Sequence, residues 1–203
     1  ESGTVLLDIG AGTTSVVVFE DGEVQHVAVI PIGGLHLTND LAIGLRTDLD
    51  IAEAAKLQFG SIKNSAKINR QVKVKVEGKD HIHMILEARI EELMEYVDKE
   101  LKKIQKSRKL PGGVVLVGGS SKLPGLADFT RDSLQLPARI GQLLPLGGLV
   151  DAIQDEPYTT AIGLMWLDML LGQSSDSLST GVDVTGSLAN AATNVFKRFR
   201  KKR

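Results

Sequence analysis

The sequence predicts an α/β chain, of a length that fits one domain or one with an inserted lobe, and three observations carry the α/β expectation. Apolar runs at 5–7 and 16–19 flank the turn Asp8-Ile9-Gly10-Ala11-Gly12-Thr13-Thr14, a hairpin pattern. A continuous apolar run at 114–117 enters Gly118-Gly119 and is followed by a helical stretch at 127–134, which reads as a buried strand turning into a helix. Between them, Ile90, Leu93, Met94, Val97, Leu101 and Ile104 recur at spacings of three and four, the stripe of an amphipathic helix over 87–109.

Composition sets the bounds. A chain of 203 residues with 42% hydrophobic content can bury a sizeable core. Lysine plus arginine (24) nearly balance aspartate plus glutamate (25), and the net charge of −1 argues against a general nucleic-acid binder. With no cysteine there is neither a disulfide framework nor a thiolate metal site. No apolar run reaches the length of about 18 residues that a bilayer-spanning helix needs, and the start has no secretory pattern. The first residue, Glu1, suggests a piece of a longer protein.

Taken in order, the hairpin is a place for an anion. Gly10 and Gly12 let a phosphate approach the main chain, the N–H groups and the hydroxyls of Thr13 and Thr14 can point at it, and Asp8 is placed to face a metal. An acidic-glycine turn at 20–23 leads into an alternating segment at 24–32, so residues 4–32 form a three-stranded meander. Pro31-Ile32-Gly33-Gly34 breaks it, and a helix follows through the glycine pair, whose N–H groups are again expected to face an anion. From Thr47 a capping residue, an acidic first turn and strong helix formers predict a helix that stops at Gly60. On it Glu53 and Lys56 share a face, which from spacing alone is a solvated ion pair.

Residues 61–86 are expected to form a small β element with a basic side, with Val72, Val74 and Val76 alternating and 81–86 as a second strand. His81 and His83 would then share one face, either as a metal pair or, with no third ligand near, as edge-strand histidines. Beyond the long helix, 113–117 is a buried strand, 137–141 a short strand, and 156–171 a final helix after a loop containing Gly147-Gly148.

The end of the chain differs in character. Residues 172–186 are rich in Ser, Asp, Thr and Gly and read as a linker. Leu188, Ala191, Ala192, Val195, Phe196 and Phe199 then fall at helical spacing beside Lys197, Arg198, Arg200, Lys201, Lys202 and Arg203. Each basic residue near an anionic leaflet contributes about 1 kcal/mol, so this pattern suits a reversible membrane anchor. A solubilising tail or a weak nucleic-acid contact is the alternative, but neither needs two phenylalanines on one face.

Three motifs now stand in order: D-I-G-x-G-T-T at 8–14, E-x-x-K at 53–56, and V-x-x-V-G-G-x-x-x-x-P-G-L at 114–126. That order resembles the second half of an actin-like ATPase, and the run 29–47 is similar to the version found in the FtsA family of bacterial division proteins. The resemblance implies a ribonuclease-H-like (actin-like) subdomain, IIA, from 1–35 and 108–172. A smaller lobe, IIB, would be inserted at 36–107, with a linker at 173–187 and a membrane-targeting helix at 188–203. It implies ATP and Mg²⁺ as cofactors. Asp8, Gly10, Gly12, Thr13 and Thr14 would be the second phosphate loop, with Asp8 meeting Mg²⁺ through water. Gly118 and Gly119 would receive the adenosine, Glu53 and Lys56 would flank it, and Gly33 and Gly34 would form the entry to the lobe.

The same resemblance implies a scaffold that polymerises on the cytoplasmic face of the cell membrane at the division site. It would tether the tubulin-like protein FtsZ by its C-terminal peptide, with Lys67, Arg70, Lys73, Lys75 and Arg89 as the docking side. Val195, Phe196, Lys197, Arg198, Phe199 and Arg200 would enter the membrane, and no nucleic acid is expected as a partner. Because only the second half of such a protein is matched, the opposite phosphate loop and the water-positioning residue are not in this sequence. Weak or no ATP hydrolysis is expected, since phosphoryl transfer needs the phosphates clamped from both sides. Ala11 stands where many relatives carry glycine, and Ser15 where many carry an acid. A PilM-like pilus-assembly adaptor, or an ATP-hydrolysing enzyme of the sugar-kinase or chaperone branch, is the alternative; the tail and the run at 41–47 favour the division protein.

Overall fold

The structure, a computed structural model, describes residues 3–62, 78–142 and 159–175. Lys67, Arg70, Lys73 and Lys75, the loop with Gly147-Gly148, the linker and the basic helix at 188–203 lie outside the described residues.

Strands β1 (Thr4–Ile9), β2 (Thr14–Glu20) and β3 (Glu23–Ile30) form the expected antiparallel meander. The turn between β2 and β3 is Asp21-Gly22, both with positive φ (53° and 84°), the two-residue geometry that matches strand twist and that Asp-Gly favours. Strand β4 (Gly113–Val117) pairs parallel to β1, and β5 (Ala138–Ile140) parallel to β4, giving the order β3-β2-β1-β4-β5. Val5, Leu7 and Ile9 alternate inward from the central strand and are joined by Val16, Val18, Val114 and Leu116.

Helices α1 (Gly34–Leu45) and α2 (Leu49–Phe59) lie where the sequence placed them, with Asp48 and Gly60 at the two ends of α2. Helix α3 spans Gly78–Lys103 and differs from expectation at both ends. Residues 81–86 are helix, not strand: Ile82, Leu86 and Ile90 are spaced by four and all buried, continuing the stripe of Leu93, Met94, Val97 and Leu101. His81 and His83 therefore do not share a face. His81 is exposed, whereas His83 is buried with Nδ1 at 2.9 Å from the Ser61 carbonyl and 3.0 Å from its hydroxyl. At the other end, Gln105 takes a left-handed conformation (φ 59°) and Lys106 N–H donates to the Leu101 carbonyl at 2.9 Å, which stops the helix six residues short of 109.

The second half of α3 lies against the sheet. His26 on β3 meets Glu100 at 3.0 Å, and Lys106 donates to both carboxylate oxygens of Glu20 at the end of β2. Helix α4 (Leu126–Leu134) follows β4, and α5 spans Thr159–Ser175. Buried residues of the sheet and of α1 to α4 form one continuous core, Leu41, Ala52, Leu93 and Leu126 among them. Arg89, expected on a docking face, is half-buried and paired within the chain: its guanidinium grips the Asp40 carboxylate of α1 at 2.5 and 2.8 Å and also meets Glu92 at 2.5 Å. The forked pair ties α1 to α3.

Candidate functional site

Three glycine-bearing segments converge at the ends of β1 and β4. In the hairpin loop Gly10 N–H donates to the Thr13 carbonyl at 2.9 Å, leaving Ala11, Gly12 and Thr13 exposed. The start of α1 lies directly on this loop: Gly34 N–H donates to the Gly10 carbonyl (2.9 Å) and Leu35 N–H to that of Ala11 (2.8 Å). A Cβ on Gly33 would stand 2.6 Å from the Ala11 carbonyl oxygen and 2.7 Å from that of Gly10, so only glycine allows this approach.

Two expectations are corrected here. The amide donors of Gly33 and Gly34 are not left for an anion, because Gly33 donates to His36 Nδ1 (3.1 Å) and Gly34 to the hairpin. The glycine pair fastens α1 to the hairpin instead. Nor does the Thr14 hydroxyl face a ligand: it is buried and donates to the Ile32 carbonyl at 2.8 Å.

The third segment leaves β4 at Gly118, whose φ of +85° suits glycine, and continues as a short 3₁₀ turn, Gly119–Lys122. Ser121 hydroxyl donates back to the Gly118 carbonyl (2.7 Å), while Ser120 hydroxyl reaches the Gly10 carbonyl (3.4 Å). A Cβ built on Gly119 would meet nothing within 4 Å, so bare backbone faces open space. Asp8, the last but one residue of β1, accepts a hydrogen bond from Thr160 of α5 at 2.6 Å.

The opposing wall is α2. Lys56 Nζ reaches Glu53 Oε2 at 2.7 Å, the Thr38 hydroxyl at 2.9 Å and the Gly34 carbonyl at 3.1 Å, while Thr38 also bonds Glu53. Burial would raise the Glu53 pKa, but hydrogen bonds from Lys56 and Thr38 and the charge of Lys56 outweigh it, holding the carboxyl below its ordinary value. The pair is not the solvated one that spacing suggests: Lys56 is only 12% exposed.

Asp8, Gly10, Gly34, Glu53, Lys56, Gly118 and Gly119 all line one cleft of about 820 Å³, within the range of small-molecule sites. Gly12, Thr13, Thr14 and Gly33, also expected at the site, do not line it. Leu57 and Leu123 give the cleft apolar surface, and Ser120 and Lys122 give it polar surface. Sequence reasoning missed Thr38, Ser120, Lys122 and Thr160. Only Thr38 carried a signal, a hydroxyl placed between Leu37 and Leu41 on the buried face of a helix.

The residues fit a nucleotide. A flat group can lie on the open backbone at Gly119, and the Gly118 turn brings that backbone beside Asp8. Among the described residues no three His, Asp or Glu side chains cluster as a metal cage. A magnesium ion here would meet the Asp8 carboxylate, water and ligand oxygens, the usual arrangement for that hard, reluctantly dehydrated cation.

Comparison with known proteins agrees with this layout. The family model for cell division protein FtsA matches residues 5–163. The chain is 33% identical to cell division protein FtsA of Pseudomonas aeruginosa over 191 residues, covering 90% of this chain and 45% of that protein. Against FtsA of Bacillus subtilis the identity is 36% over 172 residues, covering 80% and 38%. The chain thus spans less than half the length of these relatives. Among solved structures, MreB5 of Spiroplasma citri bound to ADP superposes with a TM-score of 0.65 at 17% identity, covering 86% of this chain and 56% of that one. A PilM-PilN type IV pilus biogenesis complex gives 0.62 at 24%, covering 81% and 45%. The fold is that of the actin-like ATPases, and the chain belongs to the FtsA family of cell-division proteins.

Proposed function

We propose that this chain supplies one wall of an ATP and Mg²⁺ site in an actin-like cell-division protein. The observation that carries the reading is the convergence of Asp8, Gly10, Gly34, Glu53, Lys56, Gly118 and Gly119, from four separate segments, on a single cleft. Asp8 would hold the cation through water beside the hairpin, and Gly118 and Gly119 would take the adenosine against α2. The bound cation would neutralise phosphate charge; the chain's own residues bind and orient.

The wider role rests on family membership and on sequence. We infer that the whole protein self-associates beneath the cell membrane at the division site and tethers FtsZ there. The basic residues Lys67, Arg70, Lys73 and Lys75 suit the docking of an acidic-hydrophobic peptide. Phe196 and Phe199 beside Lys197, Arg198 and Arg200 suit insertion into an anionic leaflet. Among the described residues no helix is long and apolar enough to cross a membrane.

The test is a titration of ATP onto the full chain with and without Mg²⁺, for wild type and Asp8→Ala. Loss of a carboxylate that reaches a metal through water typically costs about 10–100-fold in metal affinity. Asp8→Ala should therefore weaken Mg²⁺-dependent ATP binding by about tenfold and leave metal-free binding nearly unchanged. Equal affinities in Mg²⁺ would remove Asp8 from the site.

A further inference from the structure

Asp8 is held from outside the hairpin, by a helix that lies far along the chain. The hydroxyl of Thr160, the second residue of α5, donates to Asp8 Oδ2 at 2.6 Å across 152 positions of sequence. A threonine hydroxyl inside a helix is usually drawn to the carbonyl one turn earlier, but at the second residue no earlier turn exists, and this one reaches outward. The β-branch restricts χ1, so the hydroxyl has few directions to choose from.

A carboxylate is planar, so fixing one of its oxygens aims the other. Oδ1 of Asp8 lies directly against the Gly118 turn, in the space that a Cβ there would take, and Asp8 and Gly118 both line the cleft. Thr160 does not line it. The same bond matters to α5, whose buried Ile162 is not part of the continuous core and whose Leu164 and Met165 are 63% and 50% exposed. The start of α5 thus sits at the margin of the fold, where a charge-assisted hydrogen bond is a sizeable share of what seats it.

We propose that Thr160 is a positioning residue for the cation contact: its hydroxyl holds Asp8 Oδ2 and turns Oδ1 toward the cleft, which couples the seating of α5 to occupation of the cleft by Mg²⁺ and nucleotide. This rests on the reading of the cleft as an ATP and Mg²⁺ site. The hydroxyl acts through Asp8 and does not touch the bound molecule. Such coupling is reciprocal, so whatever the seated α5 adds to cation affinity, the bound cation returns as protection of α5. Couplings between sites are typically about 5- to 150-fold, and a single hydrogen bond at the protein surface belongs at the low end.

The experiment measures ATP affinity of the full chain with and without Mg²⁺ for wild type, Thr160→Val, Thr160→Ser, Asp8→Ala and the Asp8→Ala/Thr160→Val double variant, each checked for folding by thermal melting. Amide hydrogen exchange across α5 is followed alongside. The gain in ATP affinity that Mg²⁺ confers should fall about fivefold in Thr160→Val, and Thr160→Ser should restore it to within about twofold of wild type. In the Asp8→Ala background Thr160→Val should change nothing further, because deleting either partner removes the same interaction. ATP with Mg²⁺ should slow exchange across α5 about fivefold in wild type and leave it unchanged in Thr160→Val and Asp8→Ala. An unchanged Mg²⁺ gain in Thr160→Val, no rescue by Thr160→Ser, losses that multiply in the double variant, or wild-type exchange that ignores ATP and Mg²⁺ overturns the proposal. If Thr160→Val does not fold, exchange in wild type against Asp8→Ala decides by itself. The nucleotide reading fails differently, and takes the proposal with it: wild type then binds no ATP, or Asp8→Ala keeps its full Mg²⁺ gain, whereas a weakened Asp8→Ala beside an unaffected Thr160→Val sinks the proposal alone.

Discussion

Gly118→Ala is expected to destabilise the chain by about 2–5 kcal/mol and to abolish ATP binding. Two costs add. The backbone sits at φ +85°, where an L-residue is disfavoured by about 1–2 kcal/mol. The new methyl would stand 2.6 Å from the Ile9 carbonyl oxygen and overlap Asp8 Oδ1, and overpacking against such groups costs about 1–3 kcal/mol. The backbone can relieve the clash only by moving β1 away from the turn, which opens the floor of the cleft. Gly12→Ala is the control: a Cβ there meets nothing within 4 Å, and a change within about 0.5 kcal/mol is expected. Urea unfolding alongside ATP titration reads both; a Gly118→Ala chain within 1 kcal/mol of wild type (about a fivefold change in folding equilibrium) would refute the close approach.

Leu7→Ala should cost about 3 kcal/mol, and its effect on the cleft follows from its place. Leu7 is fully buried on the central strand, opposite Val16 on one side and Leu116 on the other. Truncation removes apolar contact and leaves a cavity that paired strands close poorly, so large-to-small changes at such sites run to about 2–5 kcal/mol. Because β1 carries Asp8 and leads into Gly10, and β4 leads into Gly118, a loosened β1–β4 pairing misaligns both sides of the cleft floor together. Thermal or urea denaturation gives the stability loss. Weaker ATP binding measured while the chain is still folded would report the misalignment separately.

The parts of this protein that were legible in its sequence are those whose causes are local. Apolar runs around Gly10 and Gly12 make a hairpin whatever surrounds them, Asp21-Gly22 sets its own turn, and the run 114–117 can only be buried. Glu53 and Lys56 follow from helix spacing, although their environment does not. What was lost depends on partners far away in the chain. The Gly34 donor looks available until the Gly10 carbonyl of the hairpin, more than twenty positions earlier, is laid against it, and that of Gly33 until His36 turns its ring back to it. His-Ile-His-Met-Ile-Leu fits a strand and a helix equally well, and only the core that receives Ile82 and Leu86 selects the helix. Ser120 and Thr160 are ordinary hydroxyls in sequence; their meaning is the carbonyl or carboxylate that folding brings beside each.

Photolabelling of the full chain with 8-azido-ATP, followed by mapping of the modified peptides, asks most directly whether the four segments form one nucleotide cleft. Label is expected within 53–60 and 118–124, the two walls beside the open backbone of Gly119, and unlabelled ATP in excess should suppress it. Label that ATP does not compete away, or that maps to β3 or the exposed face of α3, would contradict the assignment of this cleft to ATP.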